Sequence, residues 1–198
     1  MSAKVIALRP WATADAPVMS DEALLAGCAT GDGAALGALF DRFSDAVFRF
    51  AARLPRTDEL ARDDLVQATF LEVSRTAASF RGGSTVKTWI LGIAANVARH
   101  TLRSEQRRRV HQARFLEKQS CAPMLVDDQV ERRQLLTYVA EALETLPRDQ
   151  QLAFILVDLE QLPGAEVARI LDIPEGTLWR RLHTARKAMR AAIEERVS

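Results

Sequence analysis

Apolar residues recur at helical spacing along most of this 198-residue chain, and this periodicity limits its fold more than any other feature. The clearest stripe carries Leu36, Leu39, Phe40, Phe43, Val47, Phe48, Ala51 and Leu54. No segment alternates apolar and polar residues in the way a half-buried strand does. Gly and Pro number only 9 and 7, which also favours helices. The sequence therefore predicts an all-α protein.

Capping residues and helix breakers predict where the helices begin and end. Ser20 is a predicted N-cap, whereas Pro55 and Thr57 are predicted to mark the end of the second helix and the cap of the third. Pro147, Pro163 and Pro174 stand where later helices begin. The predicted helices cover about 21–30, 36–54, 58–79, a long segment from 85, 128–145, 148–160, 164–171 and 175–195. In the third helix, the predicted apolar stripe is Leu60, Leu65, Val66, Phe70 and Val73.

The helical pattern fades over 119–127, which we interpret as a linker between two helical domains. The predicted division is a mobile N-terminal extension over 1–19, a first domain over 20–118, the linker, and a second domain over 128–198 that contains a helix-turn-helix.

The net charge of +1 conceals an uneven distribution of charges. Seven basic and two acidic residues lie in 99–118, and six basic and three acidic residues lie in 175–196. Between them, 127–166 holds nine acidic and three basic residues. Two separate basic stretches fit polyanion binding at two places, but they also fit solvated helix faces.

Several other classes of protein are disfavoured. No apolar run approaches the roughly 18 residues of a membrane helix, and residues 1–20 lack the apolar block of a secretory signal, so we expect a cytoplasmic protein with no direct membrane insertion. Cys28 and Cys121 form no CxxC pair, and we expect Cys28 in the core and Cys121 in the linker. The chain has no phosphate-binding Gly loop and no hydrolase or zinc-protease motif. We therefore expect no catalytic residues, no metal and no cofactor.

Residues 162–190 have the spacing of a helix-turn-helix. Ala168 is small where two helices would cross closely, and Asp172 lies in the turn, where positive φ is accessible to Asp. The second helix could place its first turns near base edges in a major groove. Its candidate DNA-binding residues are Glu175, Gly176, Thr177, Trp179, Arg180, Arg181, His183, Arg186 and Lys187. The alternative is a plain helical hairpin with a solvated basic face.

A second motif lies in the first domain. Asp63, Asp64 and Gln67 share one face of a helix, which could equally be an ordinary amphipathic surface. The segment 80–109 then joins a Gly-containing loop to a helix with aromatic, amide and cationic side chains, a set that suits unstacked single-stranded bases. Taken alone, Trp89 fits a core position as well as a stacking platform.

These motifs together resemble an extracytoplasmic-function (group IV) sigma factor of the housekeeping-sigma superfamily. The shared patterns are DDLVQATF at 63–70, FRGGSTVKTWILGIAAN at 80–96, and EVARILDIPEGTLWRRLHTAR at 166–186. The resemblance covers about 20–112 and 130–194, in the order of the two conserved domains of that family, regions 2 and 4.

The resemblance implies a transcription initiation factor that binds core RNA polymerase, through the clamp and flap regions of its large subunits, and promoter DNA. Docking on polymerase would involve Asp63, Asp64, Leu65, Val66, Gln67 and Phe70. Recognition and melting of the minus-ten element would involve Phe80, Arg81, Gly82, Ser84, Lys87, Trp89, Asn96, Arg99 and Arg103. The second helix of the helix-turn-helix, from Glu175 onward, would read the minus-thirty-five element. An anti-sigma factor would control the protein.

The alternative from the residues alone is a helix-turn-helix regulator without polymerase contact. That reading explains 162–190 but leaves 61–109 as scaffold. Co-elution with core polymerase separates the two interpretations. Trp179 and Arg180 also stand where the family commonly has a Lys–Ser pair, so the promoter sequence does not follow from the resemblance.

Overall fold

A computed structural model describes residues 19–55, 57–112 and 130–197, with side chains described outside 101–136 and 196–198. Every regular element in these residues is helical, which confirms the predicted fold class. The elements are α1 (Asp21–Ala29), α2 (Gly33–Arg53), α3 (Glu59–Thr76), α4 (Val86–Gln112), α5 (Val130–Thr145), α6 (Arg148–Phe154), α7 (Gly164–Leu171) and α8 (Glu175–Val197). A 3₁₀ turn (Ala77–Ser79) follows α3, and a π turn (Ile155–Leu159) continues α6. The predicted linker lies outside the described residues.

Short polar side chains begin the first three helices. Ser20 Oγ accepts a hydrogen bond from the amide of Ala23 at 3.2 Å, as predicted for an N-cap. Asp32 caps α2 in the same way. The predicted cap of α3 at Thr57 is wrong, because its hydroxyl donates back to carbonyls at the end of α2 while Asp58 Oδ1 accepts from the amide of Ala61 at 2.8 Å.

The first four helices bury one face each. Phe50 and Val47 of α2, Val73 of α3, and Leu91 of α4 are fully buried together. Cys28 is also buried, as expected, and burial together with the nearby Asp32 carboxylate raises the pKa of its thiol. These contacts fix the orientation of α3 and α4, the helices that carry the first set of candidate residues.

Helices α5, α6 and α7 all pack against α8. Leu178 and Leu182 of α8 are fully buried against Leu152 of α6 and Val167 of α7. Gln151 is buried as well, and its Nε2 donates to the carbonyls at the end of α5, at 2.7 Å and 2.8 Å. This packing holds α8 along one face and leaves the opposite face in solvent.

The two halves share a continuous apolar core. Buried residues of α2 and α4 belong to the same cluster as buried residues of α6, α7 and α8. The chief contact between the halves is α7 lying against α4. The domain boundaries predicted from the sequence therefore stay a prediction, since the described helices pack as one body. No helix of the described residues has the length and apolar content to cross a membrane.

Candidate nucleic-acid and protein interfaces

The outward face of α3 is partly apolar. Leu60, Asp64, Gln67 and Leu71 follow one another at spacings of four, three and four, so they share one face. The two leucines are 72% and 60% exposed. This face therefore combines two exposed apolar side chains with the exposed Asp64 and Gln67 between them.

The structure divides the predicted docking residues of α3 into two groups. Asp63, Asp64 and Gln67 are exposed and available for contact. The other three, Leu65, Val66 and Phe70, are buried in the core. Direct contact of these three side chains with a partner would require them to be exposed, but they pack into the core formed with α2 and α4.

Leu60 and Leu71 are the exposed apolar residues that the sequence reasoning missed. The sequence groups Leu60 with the other apolar residues of the third helix, and it gives no reason to single out Leu71. The spacing of eleven residues between Leu60 and Leu71 is enough to place them on one face of a helix. Whether that face points to solvent depends on the packing of α3, which its own periodicity does not determine.

The loop before α4 is shaped by an aromatic pair. Phe80 and Trp89 meet edge to face, with ring centroids 5.6 Å apart and an interplanar angle of 66°. Both rings are half-buried against the core, so Trp89 has both the packing and the partial exposure that the sequence left open.

The other candidate residues of the loop and of the first turn of α4 are mostly in solvent. Arg81 and Lys87 are exposed, and Gly82 adopts a φ of +70° that favours glycine at this turn. Ser84 is half-buried within the loop.

The remaining minus-ten candidates lie further along α4. Trp89, Asn96, Arg99 and Arg103 share one helix face by their spacing, although the side chain of Arg103 lies outside the described residues. Arg99 Nη1 donates to the carbonyl of Leu171, at the end of α7, at 2.8 Å. Asn96 Oδ1 and Arg99 Nε are buried and have no hydrogen-bond partner in the described protein. This part of the predicted site is covered rather than open.

Helices α7 and α8 form the predicted helix-turn-helix. Asp172 in the turn has φ 54° and ψ 53°, the left-handed conformation expected at this position. Val167 and Ala168 are buried beneath α8. Gly164 at the start of α7 receives the ring of Trp179, since a Cβ there would lie 2.6 Å from the ring atom Cζ2.

The outward face of α8 is polar and cationic apart from one aromatic ring. It exposes Glu175, Gly176, Arg180, His183 and Lys187. Trp179 lies at the edge of this face and is 47% exposed. Thr177 is half-buried near the start of the helix. Cations and an aromatic ring on the exposed face of a second helix are suited to phosphates and base edges.

Two of the predicted DNA-binding arginines are engaged within the fold. Arg181 Nη2 lies 2.7 Å from Asp149 Oδ2 of α6. Arg186 binds the Asp158 carboxylate through two nitrogens, at 3.0 Å and 2.6 Å, and this bond raises the pKa of Arg186. Both arginines lie beside the outward face, and their ion pairs hold α8 against α6 and the π turn that follows it.

The chain is similar to known proteins over most of its length. Residues 39–108 match the family model described as Sigma-70 region 2, and residues 136–189 match that of Sigma-70, region 4. The chain is 35% identical over 167 residues to the ECF RNA polymerase sigma factor SigM of Mycobacterium tuberculosis, covering 84% of this chain and 81% of SigM. It is 29% identical over 184 residues to the ECF RNA polymerase sigma-E factor of Haemophilus influenzae, covering 89% of this chain and 96% of that protein.

Two solved structures share the fold. One is the sigma factor RpoE in complex with the anti-sigma factor NepR from Bartonella quintana, with a TM-score of 0.65 and 24% identity over 80% of this chain and 96% of that one. The other is CnrH in complex with the cytosolic domain of CnrY, with a TM-score of 0.62 and 22% identity over 88% of this chain and 97% of that one.

The two region matches and the extent of the SigM similarity define a helical promoter-recognition subunit. The chain belongs to the extracytoplasmic-function (ECF) family of RNA polymerase sigma factors, and it acts in transcription initiation.

Proposed function

We propose that three separate surfaces of this chain divide the work of a sigma factor. The outward face of α3 docks on core RNA polymerase. The loop over 80–85 and α4 bind the minus-ten strand, and α8 reads the minus-thirty-five element. The observation that carries the proposal is the outward face of α3, where exposed apolar and acidic side chains lie together on a helix that the core holds in place.

The docking surface comprises Leu60, Asp64, Gln67 and Leu71, with Asp63 at its side. The exposed leucines would supply apolar area, and the carboxylates would favour a basic partner surface. Leu65, Val66 and Phe70 support this surface from behind, because their burial orients α3. We assign the partner surface to the clamp of the largest polymerase subunit on the resemblance to the family alone.

The minus-ten surface joins an aromatic pair to nearby cations. The half-buried Trp89 ring, fixed by Phe80, offers a preorganised stacking surface beside the exposed Arg81 and Lys87. Base stacking on an aromatic ring is worth about 1–3 kcal/mol per base, comparable to the cost of unstacking a base from duplex DNA. Asn96, Arg99 and Arg103 would extend this surface along α4.

The minus-thirty-five surface is the outward face of α8. Trp179, Arg180 and His183 lie in the first turns, near base edges, and Lys187 lies further along, near phosphates. Arg181 and Arg186 would act chiefly by holding α8 on α6 and on the π turn that follows it. Two weak DNA contacts on one polymerase-bound chain reinforce each other through their effective concentration.

An anti-sigma factor that competes for the α3 face is the regulatory partner we propose. The support is the exposed apolar area, which one protein partner can cover as well as another, together with the fold neighbour RpoE, which was solved in complex with the anti-sigma factor NepR.

The test compares exposed apolar residues on and off the docking surface. The double variant Leu60→Ser/Leu71→Ser should keep its thermal unfolding midpoint and lose about tenfold or more in affinity for sigma-free core polymerase. Met19→Ser, at a 50% exposed apolar residue outside α3, is the matched control. Asp64→Ala should weaken binding less than the leucine pair.

Transcription by the reconstituted holoenzyme completes the test. Transcripts from fragmented genomic DNA of the source organism should start at a small set of sites that share two spaced motifs. Undiminished polymerase affinity of the leucine pair would contradict the assignment of α3. A wild-type chain that neither binds core polymerase nor starts transcripts would contradict the whole proposal.

A further inference from the structure

We propose that the indole of Trp179, packed on Gly164, reads a thymine of the minus-thirty-five element through the 5-methyl group of that base. The inference rests on the proposed function of α8 and names the base that one of its residues recognises. Gly164 is a positioning residue in this account, because it acts through the ring that it receives. The contact, termed here the Gly164–Trp179 contact, joins the first helix of the helix-turn-helix to the second.

The Gly164–Trp179 contact leaves no room for a side chain on α7. A Cβ at Gly164 would lie 2.6 Å from Cζ2, 3.0 Å from Cη2 and 3.4 Å from Cε2 of the indole. The backbone does not require glycine here, because the φ of Gly164 lies outside the positive range that favours this residue. Glycine is also a poorer helix former than alanine. The missing side chain therefore serves the position of the ring.

The contact holds an aromatic ring on a face that is otherwise polar. Trp179 is 47% exposed, whereas its exposed neighbours on α8 include Arg180, His183 and Lys187. A ring that is already held against α7 loses little further freedom when it meets DNA, so its contact costs less conformational entropy. The ring also lies in the first turns of α8, the part of a recognition helix that approaches base edges.

The part of the indole farther from α7 is apolar. The three atoms nearest to Gly164 belong to the six-membered ring, and the ring atom opposite Cζ2 is Cε3, which carries only a C–H group. In the major groove, base edges present hydrogen-bond donors and acceptors, and the methyl group of thymine is the apolar exception. An apolar ring edge therefore suits thymine, whereas the donors of the adjacent Arg180 suit guanine.

The first experiment changes only the DNA. Each thymine in the minus-thirty-five element of a promoter mapped with the holoenzyme is replaced in turn by deoxyuridine, which lacks the 5-methyl group and keeps the pairing edge. The wild-type holoenzyme should bind one of these duplexes about fourfold more weakly than the thymine duplex, the effect expected for one buried methyl group. Equal binding of all the duplexes, or an element without thymine, would overturn the proposal.

Variants of the chain then assign the methyl effect to the ring. Trp179→Ala should bind the thymine and deoxyuridine duplexes equally, and Gly164→Ala should lose most of the difference because its Cβ displaces the ring. Gly37→Ala is the matched control and should keep the difference, since a Cβ there meets nothing within 4 Å. Arg180→Ala should weaken binding of both duplexes and keep their ratio. A ratio that survives Trp179→Ala would overturn the proposal.

A double-mutant cycle separates positioning by Gly164 from a structural role. Gly164→Ala should weaken duplex binding in the wild-type background and leave it unchanged in the Trp179→Ala background. Equal weakening in both backgrounds, with an unchanged ratio of thymine to deoxyuridine binding, would overturn the positioning role. The outcomes also separate the two levels of inference. A wild-type holoenzyme that does not bind the minus-thirty-five duplex contradicts the proposed function, whereas binding that ignores the methyl group contradicts only this inference.

Discussion

Helices α4 and α8 are the two helices proposed to face promoter DNA, and the structure presents them differently. The outward face of α8 is in solvent, with Arg180 and Lys187 exposed. The corresponding face of α4 lies under α7, with Arg99 bonded to a backbone carbonyl. The proposed duplex-reading surface is thus accessible, whereas the proposed strand-binding surface is covered at Asn96 and Arg99.

The largest expected effect separates the inward face of α8 from its outward face. Leu182→Ala removes a side chain with 0% exposure and should lower the free energy of unfolding by about 2–5 kcal/mol. Arg180→Ala, two residues away on the exposed face, should change it by about 0.5 kcal/mol or less. Urea unfolding followed by circular dichroism measures both values. If both variants lost the same free energy of unfolding, the outward face of α8 would contribute to stability as much as its inward face.

The second prediction ranks the cations of α8. Arg180→Ala should weaken holoenzyme binding to the minus-thirty-five duplex by about 1–3 kcal/mol if it contacts a base. Arg181→Ala should also weaken minus-thirty-five recognition, but by less and with a loss of stability, because the side chain pairs with Asp149. Electrophoretic mobility shifts at several salt concentrations measure the loss of duplex affinity in each of the two variants. A larger effect at Arg181 than at Arg180 would reverse the assignment of these residues.

The smallest expected effect concerns Arg99, which would have opposite effects on strand binding in the free chain and in the holoenzyme. Arg99→Ala removes the bond to Leu171 and should raise strand binding by the free chain. In the holoenzyme, the same variant should weaken minus-ten binding by about 1 kcal/mol, because the proposed contact of Arg99 with the strand is lost. Fluorescence anisotropy with a labelled minus-ten strand measures both. Changes of the same sign in the free chain and the holoenzyme would contradict the double role.

Much of the fold follows from the sequence because the local signals are strong. The bounds predicted for the seventh helix agree with α7, and the left-handed Asp172 follows from the turn position between two helices. The position of Ser20 before two acidic residues at the start of a helical pattern predicts its role as a cap. The predicted third helix ends earlier, at Thr76, where the chain tightens into a 3₁₀ turn over Ala77–Ser79.

The candidate site was less predictable because it depends on contacts between distant segments. The outward position of Leu60 and Leu71 follows from how α3 packs on α2 and α4. The pairing of Arg181 with Asp149, 32 residues away, has no local signature. The cover that α7 places on α4 is a contact between the two halves, and periodicity within either helix carries no information about it.

The most direct test of this account measures binding of the free full-length chain to two fragments of one promoter. The fragments are the minus-thirty-five duplex and the single-stranded minus-ten sequence, taken from a promoter mapped with the holoenzyme. We predict salt-dependent binding of the duplex by the free chain, and weaker binding of the strand by the free chain than by the holoenzyme, because Asn96 and Arg99 are covered. Binding of the minus-ten strand that is as strong for the free wild-type chain as for the holoenzyme would contradict the account.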